Sequence, residues 1–210
     1  MKICQWAQHS ESERVYHDTE WGVPTFDDQA IFEFICLEGA QAGLNWRLIL
    51  EKRQAYGDAF SHFDFYQLAA VAEPNIAEIM ANHEIVRNRL KVASVFTNAK
   101  AAVTLVEQYG SLAKALWQFT DGVPIVNQHQ SDADVATATD KSRAMSRFLK
   151  KRGFKFVGET ICYSLMQALG MVNDHVVTCP RYQPCCELAD SVKELSQKSG
   201  NVFSLLYLIE

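Results

Sequence analysis

The segment from residue 141 to residue 169 constrains the fold most, because it predicts a basic helix, a turn bounded by glycines and a second helix. Asp140 is a suitable N-cap residue for the first helix, and Gly153 would end it. Gly158 follows five residues later. Apolar residues then recur at helical spacing: Ile161, Leu165 and Leu169. The segment therefore predicts two helices joined by a tight hairpin.

The charge of this segment indicates what the hairpin could bind. Between residues 141 and 155 there are seven Lys or Arg residues and no Asp or Glu. Glycines let the backbone approach an anion closely, and the free N–H groups at the start of a helix attract negative charge. Such a hairpin could hold a phosphate. The alternative is a solvated basic helix end joined to its neighbour by an ordinary turn, which this stretch alone favours.

Helical spacing recurs along the rest of the chain, and no convincing period-two alternation is present, so the predicted fold class is all-α. The predicted helices run from Asp27 or Asp28 to near Gly43, from a cap at Asn45 to Gly57, after Asp64, over residues 76–80, from about Val86 to Gly110, and over residues 111–119. The polar segment 121–139 is predicted to be a loop.

These elements predict a single all-α unit over residues 1–180. Its central helical lobe would cover about residues 27–120, and its hairpin lobe would combine residues 1–26 with residues 140–180. The pattern of residues 181–210 assigns no role to this C-terminal tail. No apolar run is long enough to span a membrane, and the N-terminus lacks the apolar core of a signal peptide, so we expect a cytoplasmic protein.

Net charge and cysteine count indicate which partners and which cysteine chemistry to expect. The formal net charge of −5 argues mildly against nucleic acid, although the basic cluster at residues 141–155 weakens that objection. Six cysteines in an intracellular chain of this size indicate buried thiols or metal ligands rather than a disulfide framework.

Four of the Cys and His residues predict a metal site. His175 and Cys179 are four residues apart, so on a helical turn both would project from one face, and Cys4 and His17 offer the same pair of atom types near the N-terminus. Two Cys and two His suit a closed tetrahedral zinc site, which would join the two ends of the chain in a structural role. The alternative is a buried thiol and surface imidazoles, and the pair Cys185–Cys186 competes as ligands.

Three sequence blocks together carry a family resemblance: YHDTEWGVP at residues 16–24, ICLEGAQAGLNW at residues 35–46, and residues 150–179. Through them the chain resembles the bacterial 3-methyladenine DNA glycosylase I family of the helix-hairpin-helix superfamily, from Cys4 to about Cys179. The resemblance implies a helix-hairpin-helix architecture with structural Zn²⁺ held by Cys4, His17, His175 and Cys179. It also implies a base pocket lined by Tyr16, Glu38 and Trp46.

The activity implied by the resemblance is hydrolysis of the N-glycosidic bond of N3-methyladenine in alkylated double-stranded DNA, by a monomer. A base alkylated at N3 is cationic, so an aromatic face and a nearby carboxylate attract it over neutral adenine. Glu38 is the predicted catalytic residue, and Asp174 ranks below it. From pattern alone, Glu38 would be an exposed helix carboxylate and Trp46 a core residue.

The resemblance also implies how DNA would be held. Leu44 would be the wedge that fills the gap left by the flipped base, although an ordinary core leucine fits the sequence equally well. The remaining predicted DNA contacts are Lys150, Lys151, Arg152, Gly153, Phe154, Lys155 and Gly158. Superfamily members that also cut the strand carry a Lys after the last hairpin glycine, whereas this chain has Glu159 and Thr160, so strand cleavage is not expected.

The sequence departs from the family pattern at two positions, and other functions are therefore considered. Glu13 stands where the family has an aromatic pocket residue, and Asn45 stands where it often has Ser. Loss of pocket function would leave a non-catalytic, zinc-stabilised module that binds damaged DNA. A zinc hydrolase for small molecules is disfavoured, because four protein ligands leave no open position for water.

Overall fold

The computed structural model describes residues 2–81 and 84–199, and this part of the chain is mostly helical. Its ten α-helices are α1 (Glu11–Thr19), α2 (Asp28–Gln41), α3 (Trp46–Ala59), α4 (Phe65–Ala70), α5 (Ile76–Ala81), α6 (Arg89–Tyr109), α7 (Leu112–Trp117), α8 (Asp140–Lys151), α9 (Glu159–Ala168) and α10 (Tyr182–Ser199). Two short strands, β1 (Ile125–Val126) and β2 (Val172–Asn173), pair in parallel. The predicted all-α class is confirmed, while the strand pair is too short for its period to show in the sequence.

Side-chain caps place several helix ends where the sequence predicts them. Asp27 Oδ1 accepts a hydrogen bond from the N–H of Ala30 at 2.7 Å, which starts α2. Asn45 Oδ1 accepts from the N–H of Leu48 at 2.9 Å and starts α3. Gly110 ends α6 in the left-handed conformation, with a φ of +88°.

Two predicted helix starts are wrong by one to three residues. The long helix α6 begins after Asn88 rather than at Val86, because Asn88 Oδ1 accepts a hydrogen bond from the N–H of Lys91. The cap of α8 is Thr139 rather than Asp140, because the Thr139 hydroxyl accepts from the N–H of Ser142 at 3.2 Å. Asp140 is instead the first helical residue, where its charge complements the helix dipole.

The predicted end of α3 at Gly57 is also wrong, since the helix continues to Ala59. A Cβ at position 57 would lie 3.3 Å from Nδ1 of His62. The glycine therefore serves close packing of the 3-10 turn Ser61–Phe63 against α3 rather than helix termination.

Helices α1 and α10 were not predicted by periodicity. The first turn of α1 is almost entirely polar, and its signal is the pattern Ser10-x-x-Glu13, in which the Ser10 hydroxyl accepts from the N–H of Glu13 at 3.2 Å. Helix α10 contains Pro184 in its first turn, where proline is tolerated. It covers residues 182–199 of the predicted tail, and the apolar finish from residue 202 to residue 209 lies outside the described residues.

The packing centres on two groups of helices that share buried side chains. Helix α6 contacts α2, α4, α5 and α7, and helix α9 contacts α2 and α8. A continuous set of buried apolar residues includes Phe32 of α2, Leu105 of α6, Leu149 of α8 and Leu165 of α9. Among these helices, α2 contacts both groups. No helix within the described ranges has the length and apolar character needed to cross a membrane.

Segment 121–139 is more ordered than the predicted loop. Ile125 pairs with Val172 and Val126 with Asn173, so the segment runs alongside the chain that leads into His175. A 3-10 turn at Asp132–Asp134 follows, with Ser131 as its cap. The segment thereby forms one wall of the cavity described next.

Candidate functional site

A cavity of about 550 Å³ opens between α1, α2, α3, α9 and segment 132–137. This volume is in the range of small-molecule sites. Its walls include Trp6 and Glu13, Tyr16, Glu38, Gln41 and Trp46 on one side, and Asp132, Thr137, Thr160, Tyr163, Ser164, Gln167 and Asp174 on the other. Trp6 and the 132–137 wall are parts that the sequence did not reveal.

The three predicted base-pocket residues come together in this cavity. The rings of Tyr16 and Trp46 have centroids 5.2 Å apart at an interplanar angle of 59°. Trp46 is half-buried rather than a core residue, and its buried Nε1 has no hydrogen-bond partner among the described residues. Tyr16 is buried, and this burial, with Glu38 next in effect, raises the pKa of its phenol. The pair presents an aromatic wall with an unused N–H donor.

Glu38 lies on α2 and is 2% exposed, so its interpretation as an exposed helix carboxylate is wrong. Its Oε2 accepts no hydrogen bond from any residue that the structure describes. Burial raises the pKa of this carboxyl to about 8. Buried polar groups are almost always paired, so an unpartnered carboxyl oxygen inside a cavity indicates a site for a ligand. A cationic or hydrogen-bond-donating ligand could bind this oxygen.

The cavity is acidic. Four carboxylic acids line it, and no Lys or Arg lies among the lining residues that the structure describes: the acids are Glu13, Glu38, Asp132 and Asp174. Glu13 is buried, and one of its carboxylate oxygens accepts a hydrogen bond from the Ser10 hydroxyl at 2.9 Å. The departure at position 13 therefore places a second carboxylate in the wall, where an aromatic ring was expected.

Asp174, the rival catalytic residue, has its oxygens occupied. Oδ1 accepts from Asn127 Nδ2 at 2.6 Å and lies 2.9 Å from His129 Nε2. Oδ2 accepts from the Tyr163 hydroxyl and from Gln167 Nε2, both at 2.7 Å. These bonds tie segment 127–129 to α9. Asp174 is thus held as a structural junction of the cavity wall, in contrast to the unpartnered Glu38.

The four predicted metal ligands converge next to the cavity. Cys4, His17, His175 and Cys179 are all buried, and their ligand atoms lie within 4.8 Å of one another. His175 Nδ1 is 3.2 Å from His17 Nε2 and 3.7 Å from each of the two Sγ atoms, and Cys179 Sγ is 3.5 Å from His17 Nε2. Tetrahedral bonds of zinc lengths would set these atoms about 3.3 to 3.8 Å apart. The group could bind a metal ion, and the alternative of surface imidazoles is wrong.

The remaining ring nitrogens of the two histidines are also held. His17 Nδ1 lies 2.7 Å from Asp18 Oδ1, and His175 Nε2 lies 3.0 Å from the carbonyl oxygen of Trp21. Partners of this kind fix the tautomer that leaves the other nitrogen free for a metal. A Cβ on Gly22 would lie 3.2 Å from the His175 ring, so glycine is needed for this close approach.

The two thiols of the group share their protons unequally. A hydrogen bond from Cys4, aided by His17 and His175, lowers the pKa of Cys179, while the same bond and burial raise the pKa of Cys4. A thiolate at Cys179 suits metal ligation. Cys185 is buried nearby but lies outside the group of four, and Cys186 accepts from Asn173 Nδ2 at 3.6 Å.

The predicted DNA-contacting residues lie on two loops. Leu44 is 39% exposed on the turn between α2 and α3, so it is not a core leucine. The loop between α8 and α9, residues 152–158, is flanked by exposed Lys150 and Lys151 and carries exposed Lys155. Gly153 has a φ of +91°, and Gly158 is the N-cap of α9. Phe154 is buried and its N–H donates to the carbonyl oxygen of Leu149, so neither its side chain nor its N–H is available to a phosphate.

Arg152 is half-buried, whereas the neighbouring lysines are exposed. Its guanidinium lies 3.6 Å from the centroid of the Phe148 ring, and its Nη2 donates to the Tyr109 hydroxyl at 2.7 Å. These contacts hold the end of α8 against α6.

Comparisons with known proteins show which family the chain resembles. The family model for methyladenine glycosylase matches residues 6–182. DNA-3-methyladenine glycosylase 1 of Escherichia coli (strain K12) is 42% identical over 186 residues, which cover 89% of this chain and 97% of the relative. A crystal structure of 3-methyladenine DNA glycosylase I matches with a TM-score of 0.82 and 45% identity, covering 85% of this chain and 98% of the other.

A structure concerned with 3-methyladenine recognition by the glycosylase I from Staphylococcus aureus matches with a TM-score of 0.82 at 32% identity, covering 85% of this chain and 95% of the other.

Proposed function

The chain belongs to the methyladenine glycosylase family, and we propose that it is a DNA repair glycosylase that removes N3-methyladenine from alkylated double-stranded DNA. It hydrolyses the N-glycosidic bond, releases the free base and leaves an abasic site in an intact strand. The observation that carries this proposal is the buried Glu38 carboxyl, whose Oε2 has no hydrogen-bond partner among the described residues. It lies beside the Tyr16–Trp46 wall of an acidic cavity.

Charge is the basis of selectivity in this proposal. Alkylation at N3 makes the purine cationic in DNA, and a cation gains from aromatic faces and from a carboxylate where neutral adenine does not. The acidic lining repels phosphates, so the base enters the cavity while the DNA backbone stays at its rim. Taking the base out of the stack costs a few kcal/mol, and the pocket must recover this cost.

The same positive charge makes the base a good leaving group, so the bond breaks without strong acid catalysis. The transition state has oxocarbenium character, and a carboxylate nearby stabilises it. Glu38 is the catalytic residue in this scheme, and it acts as the anion. Because burial raises its pKa to about 8, the empty pocket holds Glu38 largely protonated at neutral pH, and the cationic base drives its ionisation.

The metal group has a structural role in this proposal. The donor set of two thiols and two imidazoles fits Zn²⁺, and the ion would join residues 4–17 to residues 175–179 through Cys4, His17, His175 and Cys179. Four protein ligands favour this zinc clip over a zinc hydrolase, which needs an open position for water.

DNA binding is assigned to the two exposed loops. We take α8, loop 152–158 and α9 as the helix-hairpin-helix element. The N–H groups of Gly153, Phe154 and Lys155 already donate to groups within the protein, so the amides of residues 156–158 are the ones assigned to a phosphate. Lys150, Lys151 and Lys155 supply long-range attraction, and Arg152 supports the loop from its place on Phe148. Leu44 fills the gap left by the flipped base.

Three further parts of the proposal follow from these assignments. Glu159 and Thr160 follow Gly158 where a strand-cleaving enzyme would need a lysine, so the product strand stays intact. The protein acts as a monomer in this proposal. As an enzyme that acts on DNA, it works in the cytoplasm in this proposal.

One observation favours a second candidate function, a non-catalytic, zinc-stabilised module that binds damaged DNA. This observation is that the carboxylate of Glu13 lines the cavity where an aromatic ring was expected. The experiment is release of free base from methylated duplex DNA, resolved by chromatography. It compares the wild type with Glu38→Gln, Trp46→Ala and the control Glu107→Gln, which removes an exposed carboxylate on α6. Release by the wild type and the control alone supports the glycosylase. If the wild type binds damaged DNA but releases no base, the glycosylase proposal is wrong and the binding-module alternative is supported.

A further inference from the structure

Helix α6 carries two buried polar side chains that bind two separate loops. Lys91 is 9% exposed and Asn98 is 2% exposed. They are seven residues apart, which is close to two helical turns, so they lie on the same side of α6 and roughly 10 Å apart along its axis. Neither side chain lines the base cavity, and neither belongs to the metal group.

Lys91 binds the end of α2. Its Nζ donates to the carbonyl oxygens of Ala40 and Ala42, each at 2.7 Å. A cation suits this place, because the last carbonyls of a helix lack intrahelical partners and carry partial negative charge. Gly43 and Leu44 follow directly, and Gly43 has a φ of +76°. Lys91 therefore fixes the turn 42–45, which carries Leu44.

Asn98 binds the loop between α8 and α9. Its Oδ1 accepts from the N–H of Lys155 at 2.8 Å, and its Nδ2 donates to the carbonyl oxygen of Lys155 at 3.2 Å. The side chain thus binds both backbone polar groups of one residue in loop 152–158. The next residue, Phe156, has a φ of +56°, which is an uncommon conformation that such a contact helps to hold.

The two loops are also packed against each other through α2. A Cβ on Gly39 would lie 3.2 Å from Cβ of Phe156, so the end of α2 approaches loop 152–158 closely. Lys91 and Asn98 complete this arrangement from α6. The turn that carries Leu44 and the loop that carries the phosphate-binding amides are therefore fixed to one rigid helix.

We propose that Lys91 and Asn98 are positioning residues that set the distance between the Leu44 turn and loop 152–158, so that both engage the same flipped nucleotide. The proposal rests on the proposed function, which assigns the wedge and the phosphate contact to these loops. Base flipping needs both at once, because the phosphate must be held while the gap is filled. A misplacement of one loop by about 1 Å can cost as much as a hundredfold in rate.

The test compares Lys91→Met, Asn98→Asp and the double variant with the wild type. Methionine keeps much of the lysine shape without its charge, and an aspartate in place of Asn98 keeps the acceptor while losing the donor. Lys100→Met is the matched control, since it removes an exposed lysine from the same helix. Affinity is measured for a duplex that contains a tetrahydrofuran abasic analogue, with 2-aminopurine opposite to report unstacking. Binding of free 3-methyladenine and bound zinc report the pocket and the fold.

Each single variant should weaken binding to the abasic duplex by roughly tenfold to a hundredfold and reduce the 2-aminopurine signal. Free 3-methyladenine should bind within about twofold of the wild type, because neither substituted side chain lines the base cavity. The double variant should bind the abasic duplex only slightly more weakly than the weaker single variant. Either substitution alone already disturbs the distance between the Leu44 turn and loop 152–158. Their effects on the free energy of unfolding should instead add, since the two side chains share no partner.

Loss of free-base binding in proportion to DNA binding would show a merely structural role and overturn the proposal. So would unchanged DNA binding in both variants, or independent multiplication of the two effects on DNA binding. Failure of the proposed function is distinguishable from these outcomes. A wild type that binds the abasic duplex but releases no base from methylated DNA would refute the glycosylase and leave the loop spacing testable by binding.

Discussion

The metal group and the base cavity lie side by side, and they treat buried polar atoms in opposite ways. In the metal group each histidine ring has one nitrogen toward the other ligands and the second held by Asp18 or by the Trp21 carbonyl. In the cavity, Glu38 Oε2 and Trp46 Nε1 are buried without a partner among the described residues. One region forms a group that could bind a metal ion, and the other leaves buried polar atoms without a partner among the described residues.

In this chain, stability and ligand binding depend on different buried polar groups. A satisfied group stabilises the fold, whereas an unsatisfied buried carboxyl destabilises it and is retained for binding. Altering one region and measuring the effects in both tests this division.

Disrupting the metal group should have the largest effect on stability. Because a structural zinc site contributes its binding energy to folding, Cys4→Ala or removal of the ion by a chelator should lower the free energy of unfolding by several kcal/mol, on the order of 5. Urea denaturation with metal analysis measures this loss. Cys185→Ala is the control, since Cys185 is buried close by but outside the group. Equal losses in the two variants would contradict the assignment of the ligands.

Substitution of Glu38 should separate activity from stability. Glu38→Gln should lower the single-turnover rate of base release by roughly a hundredfold to a thousandfold, which is typical for loss of one group that stabilises transition-state charge. The same variant should be more stable than the wild type at pH 7, by about 1 to 3 kcal/mol.

The sign of the stability effect follows from the raised pKa of Glu38. Below about pH 4.5 the carboxyl is protonated in both the folded and the unfolded state, so it makes no difference there. Between about 4.5 and 8 the unfolded state releases the proton and the folded state keeps it, so wild-type stability falls as pH rises. The gain of Glu38→Gln should therefore appear only above about pH 4.5. A variant that is less stable than the wild type at pH 7 would contradict this account.

Glu13 should have a smaller effect, on selectivity. Glu13→Gln removes one negative charge from the cavity wall, so it should lower the preference for N3-methyladenine over neutral lesions by about threefold to tenfold. Release of both bases from one mixed substrate measures the ratio. Glu11→Gln, at an exposed position on the same helix, is the control. An unchanged ratio would show that Glu13 serves only as the partner of Ser10.

The smallest effect is expected at the surface lysines. Lys150→Ala with Lys151→Ala should weaken DNA binding at moderate salt and reduce the slope of log K against log salt by about two. Lys193→Ala with Lys198→Ala, on α10, is the control pair. Zinc content and free-base binding should not change. A salt slope equal to that of the wild type would remove these lysines from the DNA interface.

The sequence predicted the helices well where caps and glycines mark them, as at Asp27, Asn45 and Gly110. It failed where a residue serves tertiary packing, as Gly57 does beside His62, because periodicity contains only local information. Helix α1 was missed for a related reason, since its buried face consists of Glu13, Tyr16 and His17, which are not typical core residues.

The candidate site was predicted in part. The base-pocket residues came from the family resemblance, whereas the metal residues came from the types and spacing of Cys and His and were strengthened by that resemblance. The structure brings each set together. The wall formed by segment 132–137 and the junction at Asp174 could not be predicted, because both depend on the pairing of β1 with β2, two strands of two residues each. The unpartnered state of Glu38 likewise depends on burial, which spacing does not specify.

The central claim is that a buried carboxylate at Glu38 binds a cationic base, and the pH dependence of excision tests it most directly. We would measure the single-turnover kcat/KM for release of 3-methyladenine from methylated duplex DNA between pH 5 and pH 9, for the wild type and Glu38→Gln. The wild-type value should rise with pH and level off near 8, as Glu38 ionises. The variant should be slow at every pH and show no such rise. The same rise in both proteins, or equal rates near pH 8, would contradict the claim.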